Sequence, residues 1–220
     1  TIVQDTLLGM YKLTNSEIIG FNEGSSLQYG ENTNIYDVSD NTTTKCVDSC
    51  VYTFKQMLNI ISDLSTFDGS LPNPDNSIEL NGKVIQLWSG RSILSYILPD
   101  NINLEMTNSK YETNDSSLND ETIKKKTLIE NNKKINIVKI VNGIIKQGTF
   151  DKGMFSKTSK GLIHTIFNDL GPERTNHFIN DLQKIVTYIL MIEGFSVGIS
   201  DMIADKITNE KITNQINETK

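Results

Sequence analysis

Two apolar stripes at helical spacing, one directly after the other, constrain this chain more than any other feature. In the first stripe Leu162, Ile166 and Leu170 recur every four residues, which predicts a short helix with one buried face. Gly171 then allows the left-handed conformation that ends a helix. Pro172 suits the first turn of the next helix because its φ is already close to helical. We therefore expect the core to be built around a pair of helices.

The second helix carries the larger apolar surface. Six apolar side chains fall on one of its faces: Phe178, Leu182, Ile185, Val186, Ile189 and Leu190. Burial of each contributes about 1.5–3 kcal/mol, an upper estimate because unfolded chains are already partly compact. Gly194 is expected to end this helix. A Gly-Phe-Ser-Val-Gly run follows and predicts a turn, after which Ser200 or Asp201 can cap a further helix.

Two Asn-Gly pairs indicate β-hairpins upstream of the helices. Asn81-Gly82 and Asn142-Gly143 each lie between apolar segments, and this dipeptide accommodates the positive φ angles of a type I′ turn. After the first hairpin, Ser89 is placed to cap a short helix that Pro99 would end. We therefore predict an α+β fold, in which hairpins contribute to a mixed sheet packed with helices.

The segments before the first hairpin are less regular. Residues 1–13 are expected to form a strand or loop, followed by a short helix near Asn15 to Ile19. A second helical face is expected between Tyr52 and Ile61. We interpret Trp88 as a packing anchor rather than a platform for base stacking.

Two polar stretches, near 22–50 and 105–134, interrupt the apolar pattern. Both are rich in Asn, Ser, Thr and Asp, and their apolar residues are too sparse and aperiodic for a core element. We interpret both as insertions that run over the surface. The second contains lysine clusters at Lys124 to Lys126 and at Lys133-Lys134, but interspersed carboxylates largely cancel their field.

The charge distribution gives no general case for duplex binding. The chain of 220 residues carries a net charge of −6, all of it in residues 1–140, while residues 141–220 are balanced. A free-standing nucleic-acid binder normally has a basic face. No apolar run approaches the ~20 residues of a membrane span. Because the chain opens at Thr1 and stops in what reads as an unfinished helix, we expect a piece of a longer polypeptide.

Metal binding has weak support in the sequence. Cys46 and Cys50 lie four residues apart, whereas the histidines, His164 and His177, belong to the distant helical pair. A zinc site needs about four ligands, so inert thiols in a reducing compartment are the expected state. Asp201 and Asp205, one helical turn apart, are interpreted as capping or solvent-exposed residues rather than a metal pair.

Several short motifs resemble, in their order along the chain, the largest subunit of multisubunit DNA-directed RNA polymerases. They are Val3-Gln4-Asp5-Thr6-Leu7, Leu87-Trp88-Ser89-Gly90-Arg91, the hairpin from Asn142 to Lys152, Gly161-Leu162-Ile163-His164, Gly171-Pro172, Gln183, and the run from Gly194 to Asp205. The order of the motifs is more specific than any one of them. Their form is similar to eukaryotic or large-DNA-virus enzymes rather than bacterial ones.

This resemblance implies that residues 1–192 form the pore domain of the subunit, its domain 3, and that residues 193–220 begin the funnel domain, its domain 4. The parent enzyme would be a nucleotidyltransferase that adds ribonucleotides to a DNA-templated RNA chain. In that family the pore lets nucleoside triphosphates reach the active site and receives the RNA 3′ end when the enzyme backtracks. No Asp-x-Asp-x-Asp cluster occurs here, so the catalytic Mg²⁺ would be bound outside this segment.

Partners and location follow from the same resemblance. The partners would be other RNA polymerase subunits, the DNA template, the RNA transcript and a transcript-cleavage factor at the funnel, with no membrane. The compartment would be the nucleus, or the virion and host cytoplasm for a viral enzyme.

The residue most directly tied to the pore by the resemblance is Lys152. Relatives carry an acidic residue and two lysines after the second hairpin, whereas this chain has Asp151-Lys152-Gly153. Lys157 and Lys160 are close enough in sequence to compensate for the missing cation. In the family this turn faces the pore, where a lysine attracts triphosphate or contacts extruded RNA. From composition alone, a solvated loop lysine is the simpler interpretation.

The residues themselves leave a function of another class open. The helical pair suits a non-catalytic interaction module that docks a partner protein. Absence of a catalytic aspartate loop just upstream of Thr1 in the full polypeptide would favour that alternative.

Overall fold

The computed structural model describes residues 4–20, 44–48, 50–80, 82–109, 135–156 and 159–219. The strands are β1 (Ser16–Gly20), β2 (Thr44–Asp48), β3 (Val51–Thr53), β4 (Asn76–Leu80), β5 (Lys83–Ser89), β6 (Leu104–Thr107), β7 (Ile137–Val141) and β8 (Ile144–Gln147). The helices are α1 (Gln4–Thr14), α2 (Phe54–Ile61), α3 (Gly90–Ile97), α4 (Lys152–Ser156), α5 (Leu162–Glu193), α6 (Ile199–Met202) and α7 (Lys206–Thr219). The predicted α+β class is confirmed.

The described strands form three small antiparallel sheets rather than one mixed sheet. Strand β1 pairs with β2, the second sheet has the order β3-β5-β4, and the third has the order β6-β7-β8. The two predicted hairpins are therefore present but belong to different sheets. Their side chains and those of the helices share a core whose largest fully buried members are Met10, Leu13, Met57, Ile61, Ile93, Ile97, Ile102, Ile140, Met154, Leu162, Ile166 and Leu182.

The second hairpin shows why an Asn-Gly pair is needed at its turn. Asn142 has a φ of 48° and Gly143 a φ of 73°, the two positive values of a type I′ turn. The Gly143 amide N–H donates to the carbonyl of Ile102 at 2.9 Å. A Cβ on Gly143 would lie 2.6 Å from the carbonyl oxygen of Pro99, so the turn packs too closely for any side chain there.

The start of the chain contradicts our sequence interpretation. Residues 4–14 are helical, and the segment we expected to be a short helix is strand β1. Helix α1 buries Thr6, Gly9, Met10 and Leu13 at helical spacing. Two of these four are not large apolar residues, which is why the periodicity was not visible.

Two further boundaries differ from the prediction. Tyr52 lies in β3 and Phe54 is 48% exposed, so the predicted helical face over Tyr52 to Ile61 holds only for its later residues. Strand β2 and all of β6 except Leu104 lie in the two stretches that we interpreted as insertions. These residues pair in sheets instead of running over the surface. Within those stretches, residues 22–43, 49 and 110–134 lie outside the described residues.

The helical pair is confirmed, except that Leu190, which we placed on the apolar face, is only half-buried. Gly171 interrupts α5 with a φ of 82°, and Pro172 begins its longer second part. On that part Phe178, Leu182, Ile185, Val186 and Ile189 are at most 2% exposed. Gly194 ends the helix with a φ of 66°, and its N–H donates to the carbonyl of Leu190.

The chain divides into two compact units, Thr1–Tyr188 and Ile189–Lys220. In the second unit the carboxylate of Asp205 accepts a hydrogen bond from the Thr208 N–H at 2.8 Å and so caps α7. This confirms the capping interpretation for Asp205, whereas the side chain of Asp201 lies outside the described residues. The domain boundary at 192/193 stays a prediction. None of the described helices combines the length and the apolar character that crossing a membrane requires.

Gly90 offers a direct test of the packing between α1 and α3. A Cβ at this position would lie 2.1 Å from the carbonyl oxygen of Leu13, a backbone atom that cannot move aside alone. We expect Gly90→Ala to lower the free energy of unfolding by about 1–3 kcal/mol, measured by urea denaturation. Gly153→Ala is the control, because its methyl would meet only side-chain atoms, the nearest being Asp151 Oδ1 at 3.1 Å, and no backbone atom. Equal midpoints for the two variants would contradict this packing.

Candidate functional site

The predicted site lies on the connection between β8 and α5, residues 148–161. Lys152 is the first residue of α4 and is exposed. Lys160 is also exposed and has a positive φ of 62° just before α5. Lys157 lies outside the described residues. The structure thus places the two described lysines on one surface connection.

The residues just before Lys152 are held by α1. The Phe150 N–H donates to the hydroxyl oxygen of Thr14 at 2.8 Å, and that hydroxyl donates to the carbonyl of Met10 at 2.8 Å. The Thr149 hydroxyl donates to the Thr14 carbonyl at 3.4 Å. Thr14 and Phe150 are buried. The backbone entering the lysine turn is therefore fixed by a buried hydroxyl on a helix more than a hundred residues away in sequence.

The end of β6 holds the same backbone from a second direction. The buried side-chain amide of Asn108 donates to the Thr149 carbonyl at 3.3 Å, and the Asn108 N–H donates to the Asn136 carbonyl at 2.8 Å. The next residue, Ser109, donates its N–H to Asp151 Oδ2 at 2.7 Å. A residue that we assigned to a polar insertion thus supports the turn that carries Lys152.

Two of the short motifs meet in the core. The Thr6 hydroxyl donates to Gln183 Oε1 at 2.6 Å, although 177 positions separate the two residues. Close by on the same helix, Gly9 approaches Val186 so closely that a Cβ would lie 2.4 Å from its Cγ1. These contacts seat α1 against α5 and give both motifs a structural explanation.

A third motif surrounds Trp88 and Arg91. The Trp88 Nε1–H donates to the Pro72 carbonyl at 2.7 Å, and the residue is 4% exposed. This confirms Trp88 as a packing anchor. The Arg91 guanidinium forms a buried ion pair with Asp48, which also accepts from the Ser16 hydroxyl at 3.2 Å. Arg91 therefore links α3 to the first sheet.

A buried carboxylate organises the loop after α2. Asp181 is fully buried, and its oxygens accept four hydrogen bonds of 2.8–3.1 Å from the N–H and hydroxyl groups of Ser65 and Thr66. Burial by itself would raise the pKa of Asp181, but the four donors outweigh it and hold that pKa below its usual range. Asp181 therefore stays ionised and fixes this loop.

Arg174 lies at the start of the second part of α5. Its Nη2 donates to the Ile97 carbonyl at 2.8 Å, while Nη1 is buried and has no hydrogen-bond partner among the described residues. Burial lowers the pKa of Arg174, and the carboxylates of Asp181 and Asp100 act in the opposite direction. A guanidinium remains charged under such shifts because its ordinary pKa lies far above neutral pH.

The described residues offer no group of three or more His, Cys, Asp or Glu side chains arranged to hold a metal ion. Cys50 is buried, and the side chain of Cys46 lies outside the described residues. His177 contacts the Ser65 hydroxyl at 3.3 Å and His164 contacts Asn168 at 2.8 Å.

Sequence reasoning missed the residues that support the turn. Asn108 sits in a polar stretch, so nothing in its neighbourhood distinguishes it from a surface residue. Thr14 likewise ends a segment that we did not expect to be helical. Asp181 had a usable signal, because it is a lone carboxylate on the helical face formed by Phe178 and Ile185.

Most of this architecture falls within a known family. The family described as RNA polymerase Rpb1, domain 3, matches residues 1–202 of the 220. The match spans α1, all three sheets, the turn with Lys152 and the helical pair. Since it covers far more than half of the sequence, the chain belongs to the Rpb1 domain 3 family and is a segment of the largest subunit of RNA polymerase.

Proposed function

We propose that this segment lines the pore of a DNA-directed RNA polymerase, through which nucleoside triphosphates reach the active site and into which backtracked RNA extends. The observation that carries this proposal is the placement of Lys152. Its backbone follows residues held by buried hydrogen bonds from α1 and β6, while its side chain is exposed. A rigidly mounted, solvent-facing cation suits a surface that meets phosphate groups.

Helix stability does not account for a lysine at this position. Lys152 occupies the first turn of α4, where the helix dipole favours anions and disfavours cations. Within the described residues no carboxylate pairs with its ammonium group. An ammonium binds phosphate as a point charge without requiring one orientation, which suits ligands that move past it. Lys160, and Lys157 outside the described residues, would add to the same field.

The segment works among other RNA polymerase subunits, which are its partners in the enzyme. We further propose that it contributes shape and cations while the carboxylates that hold the catalytic Mg²⁺ lie elsewhere in the enzyme. The DNA template, the transcript and a transcript-cleavage factor would be met in the assembled complex. Residues 193–220 would begin the funnel, and a eukaryotic nucleus or a large DNA virus would be the setting.

The alternative of a docking module based on the helical pair has less support. The apolar face that would have to receive a partner protein is buried within the first unit, where Phe178, Leu182, Ile185 and Val186 are at most 2% exposed. A partner would therefore need a different surface from the one that suggested this function.

The role of Lys152 can be tested in the assembled polymerase. We expect Lys152→Ala to raise the apparent KM for nucleotides about twofold to fivefold at low salt, the size of an exposed charge interaction. The effect should shrink as ionic strength rises, because added salt screens the attraction. Elongation assays at several salt concentrations measure both quantities.

Lys83→Ala is the matched control for this variant. Lys83 is also an exposed lysine, but it lies at the start of β5 in the β4–β5 hairpin. Its replacement should leave the apparent KM unchanged. Elongation and transcript-cleavage rates of Lys152→Ala equal to those of the parent at low salt would contradict the proposed role.

A further inference from the structure

The carboxylate of Asp151 joins two separate pieces of backbone on either side of Lys152. Asp151 Oδ2 accepts the Ser109 N–H at 2.7 Å, and Oδ1 accepts the Met154 N–H at 3.3 Å. The first bond reaches the end of β6, and the second reaches the first turn of α4. Because both oxygens accept hydrogen bonds, the side chain ties the turn that contains Lys152 to the end of β6.

The backbone on the upstream side of this turn is already held by other contacts. Phe150 is 2% exposed and its N–H is bonded to Thr14, while Met154, on the downstream side, is 1% exposed. The Asp151 carbonyl also accepts from the Met154 N–H at 3.2 Å. Lys152 therefore lies between two buried anchors, and Asp151 is the side chain that ties the intervening turn to β6.

A different use of Asp151 would be to neutralise the neighbouring cation. The geometry does not favour that use, because the carboxylate oxygens are directed to amide N–H groups and no ion pair joins Asp151 to Lys152 among the described residues. A carboxylate that receives N–H donors has part of its charge compensated by peptide dipoles. Lys152 is thus left available for an external anion.

We propose that Asp151 is a positioning residue for Lys152: its carboxylate holds the turn so that the ammonium group is presented to the phosphate groups of nucleotides. This inference rests on the proposed function of Lys152. In this role Asp151 acts through its hydrogen bonds to Ser109 and Met154 and not through its negative charge.

The experiment uses the assembled polymerase with three variants: Asp151→Ser, Lys152→Ala and the double variant. Serine at position 151 is a good helix cap and can keep the bond to Met154, but it is too short to reach Ser109 as well. The β6 tether is therefore lost while α4 remains capped. We expect Asp151→Ser to raise the apparent KM for nucleotides about twofold to fivefold with little change in kcat, as for Lys152→Ala.

The direction of the change in apparent KM distinguishes the positioning role from a purely electrostatic role and from a purely structural one. If Asp151 acted only through its charge, its removal beside a cation site would lower the KM for an anionic substrate. If it were merely structural, assembly or thermal stability would fall while KM stayed constant. Asp169→Ser, at an exposed position on α5, controls for the loss of one negative charge and should not raise KM.

The double variant provides the decisive comparison. If Asp151 acts through Lys152, the double variant should have the KM of Lys152→Ala alone, because the residue being positioned is already absent. A KM equal to the product of the two single effects would overturn the inference, as would an unchanged or lowered KM in Asp151→Ser. If Lys152→Ala itself has no effect, the proposed function fails and this inference fails with it, which is a distinguishable outcome.

Discussion

Replacement of Phe178 by alanine should lower the free energy of unfolding by about 3–5 kcal/mol. Phe178 is 2% exposed and lies on the buried face of α5. Removing its ring leaves a cavity that a close-packed interior cannot fully refill, so the loss includes both the transfer free energy and the cavity cost. Urea denaturation followed by circular dichroism measures the change.

The chain provides a matched control on the same helix. Phe167 lies in the first part of α5 and is 50% exposed, so Phe167→Ala makes the same chemical change at a half-solvated position. We expect it to cost less than about half as much, because less apolar area is returned to water. Similar midpoints for the two variants would mean that the face containing Phe178 is not the core.

The second large effect is expected at Asp181. Asp181→Asn keeps the shape of the side chain but replaces one acceptor oxygen with an NH₂ group, which cannot accept from Thr66. The two hydrogen bonds from the Thr66 N–H and hydroxyl are then lost, and their donors remain next to another donor. Because hydrogen bonds to charged groups contribute about 1.5–3 kcal/mol each, the loss of two of them should cost about 3–6 kcal/mol.

The pH dependence of this loss has a defined sign. The pKa of Asp181 is lower in the folded chain than its ordinary value of about 3.9. Its ionised form therefore stabilises the fold fully above that ordinary value, and the stabilisation is lost as pH falls through the lower folded pKa. The difference in the free energy of unfolding between the parent and Asp181→Asn should be constant from pH 7 to about pH 5 and should become smaller below about pH 4.

Asp63→Asn is the control for this prediction. The Asp63 carboxylate is 84% exposed and lies 3.8 Å from the Lys184 ammonium, so the same substitution removes only a surface ion pair. Such pairs contribute about 0–1 kcal/mol. The role of the buried carboxylate would be contradicted if Asp181→Asn lowered the free energy of unfolding no more than Asp63→Asn does. It would also be contradicted if the loss at Asp181 became larger at acidic pH.

Much of the local structure could be predicted because short-range physics decides it. The Asn142-Gly143 turn follows from the tolerance of these residues for positive φ, which both of them adopt. Gly171 and Pro172 divide α5 where a left-handed residue and a fixed φ require it. Ser89 caps α3 by accepting the Ser92 N–H. In each case the backbone conformation follows from residues that are close together in sequence.

The start of the chain could not be predicted in the same way. Helix α1 presents Thr6 and Gly9 to the core, where a hydroxyl bonds Gln183 and a missing side chain admits Val186. Small and polar residues are favoured there because the partner helix approaches closely. A hydrophobic pattern cannot reveal a face whose residues are selected by the shape of a neighbour that is distant in sequence.

At the candidate site, too, some features follow from the local sequence and others only from the tertiary structure. By itself, the sequence determined that a lysine follows the second hairpin and precedes the helical pair, because turn chemistry and helical periodicity are local properties. Only the tertiary structure decided that Thr14, Asn108 and Ser109 hold the backbone around it. Those contacts join segments that are far apart along the chain, and polar residues that satisfy buried backbone groups look in sequence like residues that face water.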